Sequence, residues 1–89
     1  MLLEGFKAIT IYEVEKLKDL FLEALTQVDS LELDMTSISK VDMVGIQLLI
    51  SLIITAKEES KTVTFANITP YVLRQIEEAH CINTLGLDG

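Results

Sequence analysis

The chain has very few of the residues from which disulfides and metal centres are built. Its 89 residues include one cysteine, Cys81, and one histidine, His80. A single cysteine excludes an internal disulfide and is typical of a reducing compartment. A zinc site needs about four ligands, more than this pair supplies. We therefore expect both residues to be structural or incidental and predict no metal site.

Basic charge is also scarce. Seven Lys and Arg stand against 14 Asp and Glu, which gives a formal net charge of -7. The cations are spread from Lys7 to Arg74 without a cluster. Proteins that bind nucleic-acid phosphates do so through clustered Lys and Arg. The composition therefore predicts no nucleic-acid partner.

Residues that interrupt regular structure are few, with one proline and four glycines, while 49% of the chain is hydrophobic. Such a chain folds, and its length allows one core, so we predict a single domain over residues 1–89. Residues 1–11 lack the basic start and apolar run of a signal peptide. The apolar run 43–56 is shorter than the roughly 20 residues that cross a bilayer. We expect a cytoplasmic protein without direct membrane insertion.

Hydrophobic periodicity predicts strands and helices in alternation. The predicted strands cover residues 2–9, as a strand or small hairpin, then 31–35 and 62–66, with a short extended piece at 40–41. A capping box of Thr10 and Glu13 predicts the first helix, Asp42 caps the second over residues 43–60, and Thr69-Pro70 opens the third. This order predicts an α/β fold with a roughly four-stranded mixed sheet, largely parallel at its centre, and helices packed against it.

Each predicted helix has an expected buried side. The second helix is apolar on most of its circumference, and its only wet edge is expected at Gln47, Ser51, Thr55 and Glu58 or Glu59. Residues are also expected to be buried on the first and third helices and in the short segment 82–87 that follows the third helix. They are Val14, Leu17, Leu20, Phe21, Ala24, Leu25, Val28, Val72, Leu73, Ile76, Ala79, Ile82, Leu85 and Leu87.

No catalytic set is evident. The chain has no Gly-rich phosphate loop, no nucleophile elbow and no second histidine to act as a base. Asp34 and Asp42 lie at a strand end and a helix start, where sites form in α/β proteins. They would make a weak magnesium site, and capping a helix and satisfying loop amides is the simpler interpretation. We predict a protein that is not an enzyme and carries no cofactor.

Three stretches of the chain resemble the STAS domain. They are Leu-Glu-Leu-Asp-Met-Thr at 31–36, Val-Asp-Met-Val-Gly-Ile-Gln-Leu-Leu at 41–49 and Val-Thr-Phe-Ala-Asn-Ile-Thr-Pro-Tyr-Val at 63–72. STAS domains occur in anti-sigma factor antagonists, in cytoplasmic parts of sulfate transporters and in small partners of lipid-transport ATPases. The resemblance covers nearly the whole chain and implies a STAS-like fold and a non-enzymatic interaction module.

Regulated members of that family carry Ser or Thr directly after the Asp that Asp42 matches. A kinase-like anti-sigma partner phosphorylates it, and the added charge disrupts their interface. This chain has Met43 there, and a thioether accepts no phosphoryl group. Lys7 and Thr10 depart from the family pattern at the first loop as well. The nearby hydroxyls that remain as alternative phosphoacceptors are Thr36, Ser37 and Ser39.

The expected partner-binding surface comprises Ser37, Ser39, Asp42, Met43, Val44, Gln47, Ser51 and Thr55. Within it, Met43 either contacts a partner, as a flexible thioether suits, or packs inward; the sequence leaves both open.

The leading hypothesis is an anti-sigma-factor-antagonist-like regulator that acts by binding a cytoplasmic partner, such as an anti-sigma kinase-like protein, without phosphorylation control. The alternative is an accessory STAS subunit that binds the ATPase of an ABC-type lipid transporter. A nucleotide or anion sensor at the helix start ranks lower, because Asp42 and the net charge oppose anions. The oligomeric state stays open: the apolar edge strand near the N-terminus could pair with a second copy, but Glu4 and Lys7 are charges of the kind that discourage edge pairing.

Overall fold

A computed structural model describes residues 1, 3 and 5–87 of the chain. Within these residues it has four strands and three helices in the order βαββαβα. The strands are β1 (Ala8–Ile9), β2 (Ser30–Asp34), β3 (Lys40–Val41) and β4 (Thr62–Ala66), and the helices are α1 (Val14–Gln27), α2 (Met43–Glu58) and α3 (Pro70–Glu78). The predicted α/β class with helices packed against four strands is confirmed, but the strands form two two-stranded parallel ladders and not the single mixed sheet that was predicted.

The strands pair in two parallel ladders, β1 with β3 and β2 with β4. Both described ladders are therefore parallel, as α-helical crossovers require. Met1 extends the second ladder, because its amino group donates to the Glu32 carbonyl at 2.6 Å and the Asp34 N–H donates to the Met1 carbonyl at 2.8 Å. Of the strand or hairpin predicted over residues 2–9, the structure has only β1; Leu2 and Glu4 lie outside the described residues.

One face of the β2–β4 ladder is buried and the other faces solvent. Leu31 and Leu33 of β2 are buried, while Ser30, Glu32, Thr62 and Thr64 are exposed. This is the alternation of a sheet covered on one side. The helices cover the apolar side, and their fully buried residues are Leu17, Phe21, Leu25, Ile46, Leu49, Leu52, Ala56, Val72 and Ile76, with Leu85 after α3.

Three residues predicted to be buried are on the surface. Leu20 and Leu73 are 37% exposed and Val28 is 40% exposed. Leu20 and Leu73 lie within α1 and α3, and Val28 lies one residue beyond the end of α1. The stripe was predicted from spacing alone, and spacing does not give its buried width.

Of the wet edge predicted on α2, Gln47, Ser51 and Glu58 are exposed, but the exposed face is wider than predicted. The exposed face of α2 includes Ile54, at 53% exposed, and Thr55 is only half-buried. The exposed positions of α2 lie on one side of the helix, as their spacings of mostly three and four residues show; they are Met43, Val44, Gln47, Ser51, Ile54, Lys57 and Glu58. In the described part of the chain no helix is long and apolar enough to span a bilayer.

Candidate functional site

Asp42 joins the start of α2 to the segment that leads into α1. Its Oδ1 accepts a hydrogen bond from the Gly45 N–H at 2.8 Å, which is the predicted N-cap. Its Oδ2 accepts from the Ile11 N–H at 3.0 Å. Because each oxygen already accepts from a backbone amide, the capping interpretation of Asp42 is confirmed and the carboxylate has a structural task.

The segment before α1 is a turn and not the first turn of the helix that the capping box predicted. Glu13 accepts from both the backbone N–H and the hydroxyl of Thr10, at 2.8 and 2.6 Å. The Thr10 hydroxyl accepts from the Tyr12 backbone N–H at 3.3 Å. In a complete capping box it would accept from the Glu13 N–H instead. The helix accordingly begins at Val14, four residues after Thr10.

Gly45 brings α2 directly against the end of β1. A Cβ built on Gly45 would lie 1.8 Å from the Ile9 carbonyl oxygen and 2.7 Å from its carbon. The Asp42 N–H also donates to that oxygen, at 3.3 Å. The glycine of the Asp-x-x-Gly motif is therefore required by close backbone approach, which fixes where the first residues of α2 lie.

Large apolar side chains are exposed around Asp42. Met43 is 53% exposed and Val44 37%, so the outward alternative for Met43 is the one the fold adopts. Ile11, whose N–H bonds Asp42, is 60% exposed and Tyr12 90%. We call these four residues the helix-start surface. Uncharged apolar residues exposed together are typical of a protein–protein contact.

Ile11 and Tyr12 were missed as candidate site residues. They follow Thr10 directly and fall outside the apolar stripe, which begins at Val14. Two large apolar residues outside the apolar stripe of a helix indicate an exposed contact surface, and this signal could have identified them. The sequence could not show that they lie beside Asp42, because the Ile11–Asp42 hydrogen bond spans 31 residues.

Shallow hollows flank the helix-start surface on both sides. One lies between α2 and α3, where Gln75 accepts from the Val41 N–H at 3.1 Å and the rim carries Asp42, Met43 and Glu78. Two carboxylates at its rim oppose an anionic ligand, as does the use of the Gly45 amide by Asp42. The other hollow lies between α1 and α2 and is lined by Val14, Glu15, Lys18, Val44, Gln47, Leu48 and Ser51.

The predicted loop hydroxyls are exposed, yet each donates to a protein oxygen. Ser37 donates to the Leu3 carbonyl and Ser39 to the Lys7 carbonyl, both at 3.1 Å. Thr36 donates to Asp34. These bonds tie the β2–β3 loop to the N-terminal segment and to β2. A phosphoryl group on any of the three oxygens would remove the proton that makes its bond.

Asp34, the last residue of β2, accepts hydrogen bonds from the start of the same loop. The Thr36 hydroxyl, the Thr36 N–H and the Asn67 side chain all donate to Oδ1. These bonds favour the ionised carboxylate and hold the pKa of Asp34 below its ordinary value, the Thr36 hydroxyl having the largest effect. The interpretation of Asp34 as an acceptor for loop amides is confirmed.

The predicted surface residues thus fall into separate groups. Asp42, Met43 and Val44 come together with the turn before α1. Gln47 and Ser51 continue along the exposed side of α2, and half-buried Thr55 lines a second hollow between α1 and α2, which adjoins the first at Lys18, Leu48 and Ser51.

Comparison with known families matches residues 7–85 to the family model described as Mlab, STAS domain. The match contains all described helices and strands. No curated protein matches the chain at the significance required.

Proposed function

The chain belongs to the STAS-domain family, and from this we propose that it is an interaction module that regulates a cytoplasmic protein by binding to it. STAS domains are generally non-enzymatic and typically bind protein partners. The contact proposed here is the helix-start surface together with Asp42 and the adjoining Gln47 and Ser51. Ser37 and Ser39 are proposed at its margin and Thr55 in the adjoining hollow.

The observation that carries the proposal is the exposure of Met43. This residue stands where regulated relatives carry a phosphoacceptor hydroxyl, and it is 53% exposed. A phosphate there would add about -1.5 to -2 charges to the contact and disrupt it. A thioether cannot take part in that switch. We infer an anti-sigma-factor-antagonist-like regulator whose binding is constitutive and is set by the amount of each protein.

The experiment restores the missing hydroxyl. The wild-type chain and Met43→Ser are incubated with an anti-sigma kinase from the same genome and ATP, and intact masses are measured. We expect one phosphate on Met43→Ser and none on the wild type. Ile54→Ser is the matched control, because Ile54 has the same 53% exposure on the same helix. Stoichiometric phosphate on the wild type would contradict the proposal that binding is not controlled by phosphorylation.

A second partner class is supported by the chemistry of the same surface. The helix-start surface consists of four uncharged residues, one of them a tyrosine at 90% exposure. Permanent complexes have more apolar interfaces than transient ones. This favours the alternative of an accessory subunit bound to the ATPase of an ABC-type lipid transporter.

Co-expression with each partner separates the two hypotheses. A complex with the transporter ATPase that survives gel filtration, together with no phosphate on Met43→Ser from the kinase, would support the accessory subunit. A complex with the anti-sigma kinase alone would support the regulator. Binding to neither would contradict both.

A further inference from the structure

The three methionines of the chain differ in how far solvent reaches their side chains. Met35 is fully buried in the core, Met1 is 38% exposed and Met43 is 53% exposed. An oxidant has to reach the sulfur to convert a thioether into a sulfoxide, so exposure orders the three residues by reactivity. We expect Met43 to react first and Met35 last.

Met43 lies where two parts of the proposed contact meet. It directly follows Asp42, whose Oδ2 accepts from the Ile11 N–H and so holds the turn before α1 beside the start of α2. Met43 also lines the hollow between α2 and α3. It therefore belongs to both the helix-start surface and the hollow beside it, and a partner that covers either one contacts it.

Oxidation would turn this apolar side chain into a polar one. A sulfoxide carries an oxygen that accepts hydrogen bonds and has no proton to donate. The charged groups that line the same hollow are Asp42 and Glu78, and ionised carboxylates are acceptors as well. A partner that fits the thioether would have to bury this additional acceptor, and a buried acceptor without a donor weakens binding.

The fold has no need of an unoxidised thioether at this position. Met43 is the first residue of α2, and the cap of that helix is made by the Asp42 carboxylate and the Gly45 N–H. A sulfoxide at Met35 would disrupt the core, but complete burial protects that residue. Oxidation at Met43 therefore alters the surface alone, where the sulfoxide stays accessible to a reductase.

We propose that Met43 is an oxidation site and that its sulfoxide releases the bound partner. Such a switch rests on the proposed function and adds one condition to it, since binding is then constitutive only while the thioether is reduced. A hydroperoxide transfers one oxygen atom to the sulfur as its O–O bond breaks; the sulfur loses two electrons, and the peroxide is reduced to water or an alcohol. A methionine sulfoxide reductase reverses the change, because a dithiol supplies two electrons and two protons, becomes a disulfide and releases the oxygen as water.

The first experiment compares the full chain carrying Cys81→Ser with the double variant Cys81→Ser/Met43→Leu. Cys81→Ser removes the only thiol that peroxide would also oxidise. After treatment with hydrogen peroxide, peptide mapping by mass spectrometry should find one added oxygen at Met43 before any at Met35. Calorimetry then measures binding to whichever protein forms a complex on co-expression, the anti-sigma kinase or the transporter ATPase.

We expect the Kd of the chain oxidised at Met43 to rise about tenfold to a hundredfold, the cost of burying an unsatisfied acceptor. Reductases for both sulfoxide epimers should restore it. Met43→Leu is the matched control, because peroxide should leave its Kd unchanged whatever that Kd is. Thermal unfolding followed by circular dichroism should be the same before and after oxidation at Met43.

The complex supplies the second measurement, because a bound partner covers Met43. Peroxide should oxidise Met43 more slowly in the complex than in the free chain, whereas Met1, outside the helix-start surface, should react at a similar rate in both. An equal Kd before and after oxidation, an equal loss in Met43→Leu, unfolding on oxidation or earlier reaction at Met35 would overturn the switch and leave the proposed function standing. No binding by the untreated chain, or no protection of Met43 in the complex, would contradict the proposed contact and the switch with it.

Discussion

Replacing Gly45 by alanine tests how closely α2 approaches β1. The new methyl carbon would lie 1.8 Å from the Ile9 carbonyl oxygen, whereas real Cβ contacts essentially never fall below 3.0 Å. The helix and the strand must therefore separate by about 1.2 Å. The two nearest atoms of Ile9 belong to the backbone, so no side-chain rotation relieves the contact.

Two effects of opposite sign set the change in stability. Alanine is the better helix former by about 0.8–1.0 kcal/mol. Overpacking costs about 1–3 kcal/mol, and the upper end applies where backbone has to move. We expect a net loss of about 2 kcal/mol in the free energy of unfolding. For a domain of this size that lowers Tm by about 8–16 °C.

Thermal unfolding followed by far-ultraviolet circular dichroism measures the shift. Ser51→Ala is the matched control, since Ser51 is exposed on the same helix and the change brings only the better propensity of alanine. We expect the control to keep or slightly raise Tm. A rise in Gly45→Ala similar to that of the control would refute the close approach of α2 to β1.

Three further substitutions test local features of the fold. Ser60 follows α2 with φ 58°, so Ser60→Gly should raise the free energy of unfolding in urea by about 1 kcal/mol. Ser51→Gly, inside the helix, should lower it by about 0.5 kcal/mol. Losses in both variants would contradict the left-handed conformation at Ser60. Asp42→Ala should cost about 1–2 kcal/mol in the same assay and Asp42→Asn less, because asparagine still caps; equal losses would argue against the cap. The lowered pKa of Asp34 stabilises the fold above the ordinary value of 3.8, and that contribution is lost as pH falls through the folded-state pKa. Asp34→Asn should therefore reduce the acid dependence of stability, and an unchanged pH profile would contradict the role of its hydrogen bonds.

Much of the fold was predictable because its signals are local. Asp42 before an apolar helix, Thr69 before Pro70 and the alternation at Leu31 and Leu33 each act through neighbours a few residues away. The exposure of Leu20 was not predictable, because spacing shows which face of a helix is apolar but not how wide its buried part is.

In the candidate site, too, the features set by neighbouring residues were predictable and those set by distant contacts were not. The sequence placed Met43 after the capping Asp42, but whether it points outward depends on how α2 lies against β1. Ile11 and Tyr12 join the surface through a contact across 31 residues, which no short-range pattern contains.

The central claim is that the helix-start surface binds the partner, and a pair of charge substitutions on α2 tests it most directly. Met43 and Ile54 are both 53% exposed on that helix, near its two ends. A glutamate in the first turn suits the helix dipole, so Met43→Glu should remain folded, which its thermal unfolding checks. With the purified partner in a calorimetric titration, we predict that Met43→Glu abolishes binding and Ile54→Glu leaves it unchanged. Undiminished binding by a folded Met43→Glu would contradict the account.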